Sequence, residues 1–135
     1  MIVLDTNVLS EPLRPTPDAA VITWLRAQRD VAVTAISVAE LLTGARRLPA
    51  SSRREQLIAA IDSILTGNLI LPFDDGAARA YAVMQETRRA AGRPLPVEDA
   101  MIAAIARVHN AAIATRNTAD FEGLGVELVN PWAIS

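Results

Sequence analysis

The sequence predicts an α/β chain with a three-layer α/β/α architecture around a central parallel sheet. Three observations lead there. Short aliphatic runs alternate with helical segments along the chain, the pattern of a parallel sheet covered on both faces. Hydrophobic residues make up 51% of 135 residues, enough to bury a core in one domain spanning 1–135 and too few residues for two. Heavy use of alanine favours helices lying close against that sheet.

Taken in order, Ile2-Val3-Leu4 reads as the first strand and ends at Asp5-Thr6-Asn7. A helical turn follows and breaks in the proline-rich stretch 11–17. Residues 18–28 read as a helix with Thr16 as cap and Pro17 at its first position. Val31-Ala32-Val33-Thr34 is the second strand, and helices are expected over 37–47 and 52–66. Leu69-Ile70-Leu71 is a third strand ahead of a long helix over 75–91, which Gly92 and Pro94 end. Residues 97–109 are apolar enough to require a buried helix. Ala112-Ile113-Ala114 is a strand, 118–121 a helical turn, and 126–129 the last strand. No repeat, low-complexity tract or linker interrupts the series.

Composition removes several functional classes. There is no cysteine, which rules out disulfides, thiolate zinc sites and cysteine nucleophiles, and fits a reducing compartment. Aromatic residues are 4% of the chain, too few for rows of base-stacking platforms. The longest strictly apolar run, 100–106, is too short to span a membrane. No charged leader precedes an apolar stretch at the start, so no signal peptide is expected and a cytoplasmic protein is. Net charge is −2, all 13 basic residues are arginine, and eight of them fall between Arg46 and Arg93. If four carboxylates are set aside for a metal, the remainder carries 13 − 11 = +2. A basic rim around an acidic centre is then available, and arginine's planar fork suits phosphate. Solvated helix faces are the plainer home for any one of these arginines.

In open parallel sheets, ligands sit beyond the carboxyl ends of the strands. Asp5 follows the first strand directly, and a carboxylate, hydroxyl and amide clustered at the end of an apolar strand point to a ligand more than to a simple cap. Glu40 falls in the first turn after the second strand. Ser37 and Glu40 also have capping-box spacing, as do Ser52 and Glu55, so the box alone decides nothing. Glu98 and Asp99 open the buried helix, where either would favour the helix dipole and periodicity does not choose between them. A buried helix nonetheless aims its first turn at an interior edge, where a carboxylate needs a partner. Asp120 sits in the polar loop Thr115-Arg116-Asn117-Thr118-Ala119-Asp120-Phe121, and loop polarity alone would account for it. Together these acids would meet at one sheet edge and repel one another unless a cation neutralised them. Oxygen ligands without histidine or cysteine select Mg²⁺ or Mn²⁺ over zinc. His109, at the far end of its helix, is expected at the surface.

These stretches resemble the PIN-domain nucleases, and within them the VapC-like toxins of type II toxin–antitoxin pairs. The resemblance is carried by Ile2-Val3-Leu4-Asp5-Thr6-Asn7, Ser37-Val38-Ala39-Glu40-Leu41, Glu98-Asp99-Ala100-Met101-Ile102-Ala103 and the loop from Thr115 to Phe121. Each is short, but their order and spacing cover nearly the whole chain. The resemblance implies a PIN-like fold and chooses Asp99 over Glu98. It makes Asp5, Glu40, Asp99 and Asp120 the catalytic and metal-binding set, with Thr6 and Asn117 in support. It implies a Mg²⁺- or Mn²⁺-dependent endoribonuclease that cleaves RNA with a metal-activated water, a homodimer, and a VapB-like antitoxin as partner.

Other acidic-edge chemistries fit less well. A receiver-like phosphoacceptor needs a lysine, and the chain has none. A phosphatase of the haloacid-dehalogenase type needs an aspartate where Asn7 stands, and no phosphate loop is present. A noncatalytic RNA- or partner-binding module with a structural metal is the alternative from another class. Metal-dependent RNA cleavage separates it from a nuclease.

Overall fold

Alternation of apolar side chains along very short strands decides the architecture. In the computed structural model, which describes residues 1–134, strand β1 (Ile2–Leu4) buries Val3 on one face and Leu4 on the other. Strands β2 (Val31–Thr34) and β4 (Ala112–Ala114) repeat this with Ala32 and Val33, and with Ile113 and Ala114. Strands buried on both faces are what a parallel sheet requires. With β3 (Leu69–Leu71) and β5 (Leu128–Val129), all strand pairs are parallel, in the order β3-β2-β1-β4-β5. Ile2 sits in register with Val31 on one side and Ala112 on the other, which places β1 at the centre.

One helical layer holds α5 (Asp75–Ala90) and α6 (Val97–Val108) against Val3, Ala32 and Ile113. The other holds α1 (Thr6–Ser10), α3 (Ala35–Arg46) and α4 (Ser52–Thr66) against Leu4, Val33 and Ala114. Helix α2 (Ala19–Ala27) adds Trp24 and Leu25 to this second core. The expected three-layer α/β/α arrangement is therefore the one observed. The middle of helix α6 is apolar for a reason: Ala100 and every residue from Ile102 to Ala106 are fully buried, and the small alanines let it pack tightly against the sheet and α5. Among the described residues, no helix is long and apolar enough to cross a membrane.

Helix starts differ from the sequence reading, each for a local hydrogen-bonding reason. Asp18, not Thr16, caps α2, because its carboxylate accepts the amides of Ala20 (2.9 Å) and Val21 (3.3 Å). Asp18 is itself held by its amide, which donates to the buried Glu11 carboxylate at 3.0 Å. Helix α3 begins at Ala35, two residues before Ser37, with Thr34 as cap accepting from the Ser37 amide at 3.2 Å. Ser37 and Glu40 consequently form no capping box, and Glu40 lies in the second turn rather than the first. Ser51 rather than Ser52 caps α4, through the Arg54 amide. The last strand is shorter than expected, and α5 ends one residue early, ahead of Gly92, whose φ of +71° suits glycine.

Ile113 is fully buried in β4, whereas Ile70 in the edge strand β3 is 39% exposed. Ile113→Ala should cost about 2–5 kcal/mol of unfolding free energy, and Ile70→Ala under about 1 kcal/mol. Urea denaturation of both variants checks the placement, and equal losses would contradict it.

Candidate functional site

From β1 the chain crosses to β2 and β3 on one side, while β4 and β5 lie on the other. The connections diverge between β1 and β4, and the crevice beyond their carboxyl ends is where such a sheet takes a ligand. Asp5 directly follows β1 and Thr115 directly follows β4. The Thr115 hydroxyl donates to Asp5 Oδ2 at 2.7 Å, and the Thr6 amide donates to Oδ1 at 2.8 Å. Asn7 Nδ2 adds a longer bond to Oδ2 at 3.3 Å. Asp5 also extends the sheet ladder, its amide donating to the Ala114 carbonyl at 2.9 Å. This carboxylate is only 6% exposed, so those donors are what make its burial tolerable.

Glu40 reaches the same edge from α3. Its Oε1 accepts from the Thr6 hydroxyl at 2.8 Å, and that hydroxyl also lies 2.8 Å from Ser37 Oγ. The early start of α3 is what releases Glu40 from capping and turns it toward Thr6. Asp99 stands with Glu98 in the first turn of α6, half-buried, above a helix whose next turns are sealed in the core. Asp120 is exposed in a short 3₁₀ turn (Thr118–Phe121), anchored by the buried Phe121.

Electrostatics ties the four acids together. The Asp99 carboxyl is pushed up to about 6, first by burial and then by the charges of Asp5, Asp120, Glu40 and Glu98. Burial also raises Asp5, against the lowering hydrogen bonds from Thr115 and the Thr6 amide, and Asp120 adds a further upward push. Among the described residues, no three acidic, histidine or cysteine side chains already close on one point as a finished cation cage. The donor set nonetheless suits a hard divalent cation, since it is all oxygen and a positive charge would relieve the repulsion acting on Asp99.

Several contributors were not legible in the sequence. Thr115 was read only as part of a polar loop, yet it binds Asp5 directly. Ser37 joins the same network, and so does Asn7, expected in the polar cluster behind β1, its Oδ1 accepting from the Arg116 amide at 3.3 Å. Asn117 meets this network through its backbone: its amide donates to Thr115 Oγ1 at 3.1 Å and its carbonyl accepts the Asp120 amide at 3.0 Å. Arg88, one of the eight central arginines, is 8% exposed and is no part of a basic rim. Its guanidinium donates to the carbonyls of Arg93 (2.9 Å), Asp120 (3.2 Å) and Glu122 (3.1 Å), clamping the Asp120 loop to the end of α5. Arg116 is exposed beside the site and rests over the Trp132 ring at 5.1 Å. His109 is exposed just after α6, as expected.

Comparison with known proteins gives a consistent result. The family described as PIN domain matches residues 2–125. The chain is 41% identical to VapC ribonuclease Y4jK of Sinorhizobium fredii, covering 98% of each protein. It is 40% identical to Toxin FitB of Neisseria gonorrhoeae, covering 98% of this chain and 99% of that one. The solved structure of FitAB bound to an IR36 DNA fragment superposes with a TM-score of 0.92 at 37% identity, covering 100% of this chain and 98% of that one.

Two measurements follow from the electrostatics and the clamp. Because Asp99 titrates above its ordinary value, the folded protein binds more protons than the unfolded chain between about pH 4 and 6, and its charged form opposes folding above that range. In metal-free buffer, Asp99→Asn should therefore gain about 1–2 kcal/mol at pH 7.5, after allowance for solvent screening, and nothing near pH 3. Thermal denaturation at the two pH values checks the sign. Arg88→Met should cost about 2–3 kcal/mol by stranding loop carbonyls, and hydrogen exchange should show amides 120–122 losing protection first.

Proposed function

This chain belongs to the PIN-domain family, and on that premise we propose that it is a Mg²⁺- or Mn²⁺-dependent endoribonuclease acting as the toxin of a toxin–antitoxin pair. The observation that carries the reading is that Asp5, Glu40 and Asp120, from three other segments, lie near enough to Asp99 for their charges to act on it. The raised Asp99 carboxyl, pushed up first by burial and then by the charges of Asp5, Asp120, Glu40 and Glu98, supports a site that takes positive charge. A full-length relative named as a ribonuclease and another named as a toxin support the same activity and biological role.

In this reading Asp5, Asp99 and Glu40 would hold a first ion, and Asp120 would help hold a second. Bound metal would supply charge stabilisation for the phosphodiester and activation of a water for in-line attack. The chain's own residues do the positioning. Thr115 and the Thr6 amide fix the Asp5 carboxylate, and the Thr6 hydroxyl ties Glu40 to the same edge. Arg88 holds the backbone of the Asp120 loop in place. Arg116, braced on Trp132 and tethered through its amide to Asn7, would meet a neighbouring phosphate of the RNA. No side-chain nucleophile is required.

The partners proposed for this chain are an RNA substrate, a VapB-like antitoxin and a second copy of itself, in the cytoplasm. The FitAB complex supports the antitoxin, since the FitB-containing structure aligns with the whole of this chain. A noncatalytic binding module would show metal binding without turnover.

The test is cleavage of a mixed RNA pool by the purified chain with Mg²⁺ or Mn²⁺, beside an EDTA control and Asp5→Asn. Both controls should reduce cleavage by about 100-fold or more. Cleavage surviving in Asp5→Asn would remove this site assignment, and metal binding by a folded, inhibitor-free protein without any cleavage would favour the binding module.

A further inference from the structure

Beside the acidic edge, a cleft of about 420 Å³ opens between α3 and α6. It adjoins the site, because Glu40 belongs to both and Glu98 in its lining is the neighbour of Asp99. Its volume falls in the range of small-ligand pockets. Ile36 and Met101 supply apolar surface, and Arg47, just past the end of α3, and Glu98, in the first turn of α6, supply opposite charges. Among the described residues, neither Arg47 nor Glu98 is in an ion pair.

Gly44 also lines this cleft, in the last turn of α3. A glycine inside a helix weakens it relative to alanine, so its presence asks for a reason. Neither conformation nor packing supplies one here: its φ is not positive, and an added Cβ would meet nothing within 4 Å. The missing side chain leaves room in the cleft itself, where a flat ligand can approach the helix backbone.

We propose that this cleft is a nucleobase subsite selective for guanine, in which Ile36 and Met101 contact the base face while Arg47 and Glu98 read its edges. The proposal rests on the ribonuclease reading for its role, since it would seat a base flanking the scissile phosphate. The selectivity follows from donor and acceptor chemistry. Guanine offers two acceptors, O6 and N7, to an arginine fork. Its N1–H and N2–H₂ offer two donors to a carboxylate. Adenine presents a donor in place of O6, and neither pyrimidine offers both sets.

The test follows the amide signal of Gly44 and the methyl signal of Met101 by NMR while the Mg²⁺-supplemented full chain is titrated with each 5′-mononucleotide. RNA cleavage is measured in parallel. GMP should shift both signals and bind about tenfold more tightly than AMP, CMP or UMP. Arg47→Met and Glu98→Ala should each erase most of that preference. Gly44→Leu should abolish the response to all four nucleotides while circular dichroism shows the fold intact. Signals that ignore all four nucleotides, or answer them equally, would overturn the subsite even if RNA is cut normally. Guanine-selective shifts without RNA cleavage would uphold the subsite and overturn the ribonuclease reading instead. Shifts that appear only on adding an antitoxin protein would make the cleft a protein-docking groove and end the proposal.

Discussion

The 2.7 Å hydrogen bond from Thr115 to Asp5 joins the ends of β1 and β4 at the point where the sheet's connections diverge. Much else depends on it. β1 is only three residues long, so its carboxyl end needs fixing by something other than strand length. Asp5 serves both purposes. Its amide continues the ladder onto Ala114, its carbonyl starts α1 through the amides of Val8 and Leu9, and its carboxylate accepts from the neighbouring loop. A group with so many local bonds can be both buried and charged, because each donor recovers part of the hydration lost.

The other acids are held less directly, and the difference is graded. Glu40 is exposed and steadied by the Thr6 hydroxyl, Asp99 by its place at the mouth of a buried helix, and Asp120 through its backbone by Arg88. One carboxylate is thus fixed at the end of the central strand while three approach from other elements. Such an arrangement leaves repulsion in the folded protein that a more stable design would remove. Retaining it makes physical sense where the lost stability is returned by a bound cation.

Much of this was readable from the residues. The unbroken apolar run Ile2-Val3-Leu4 and the polar cluster behind it mark the central strand and the leading acid, because burial on two faces leaves a direct trace in side-chain polarity. The apolar block behind Asp99 likewise marks α6. Thr115 was not readable, since one hydroxyl in a polar loop looks like any other until the fold brings it against a partner 110 residues away in sequence. Glu40 was ambiguous for a different reason. Whether it caps a helix depends on where that helix starts, and Thr34 moves the start by two residues through one side-chain bond. Arg88 inverted its expectation altogether, because an arginine in a helix gives no sign that loop carbonyls will converge on it.

Arg88 also bears on how an acidic protein could handle RNA. The chain's net charge is −2, and a count of arginines suggests a basic rim that placement partly dismantles. Arg88 is spent on backbone carbonyls, Arg79 pairs with Asp75 on the solvated face of α5, and Arg107 donates to the Leu124 carbonyl. Arg47 in the cleft and Arg116 on Trp132 remain close to the acidic edge. Two nearby guanidinium groups cannot draw a polyanion against four carboxylates by charge alone, since short-range repulsion from the acids would dominate. Attraction for phosphate would therefore have to follow occupation of the acidic edge by divalent cations. Substrate affinity and metal affinity would then be two readings of one electrostatic balance, with the arginines serving for orientation more than for capture.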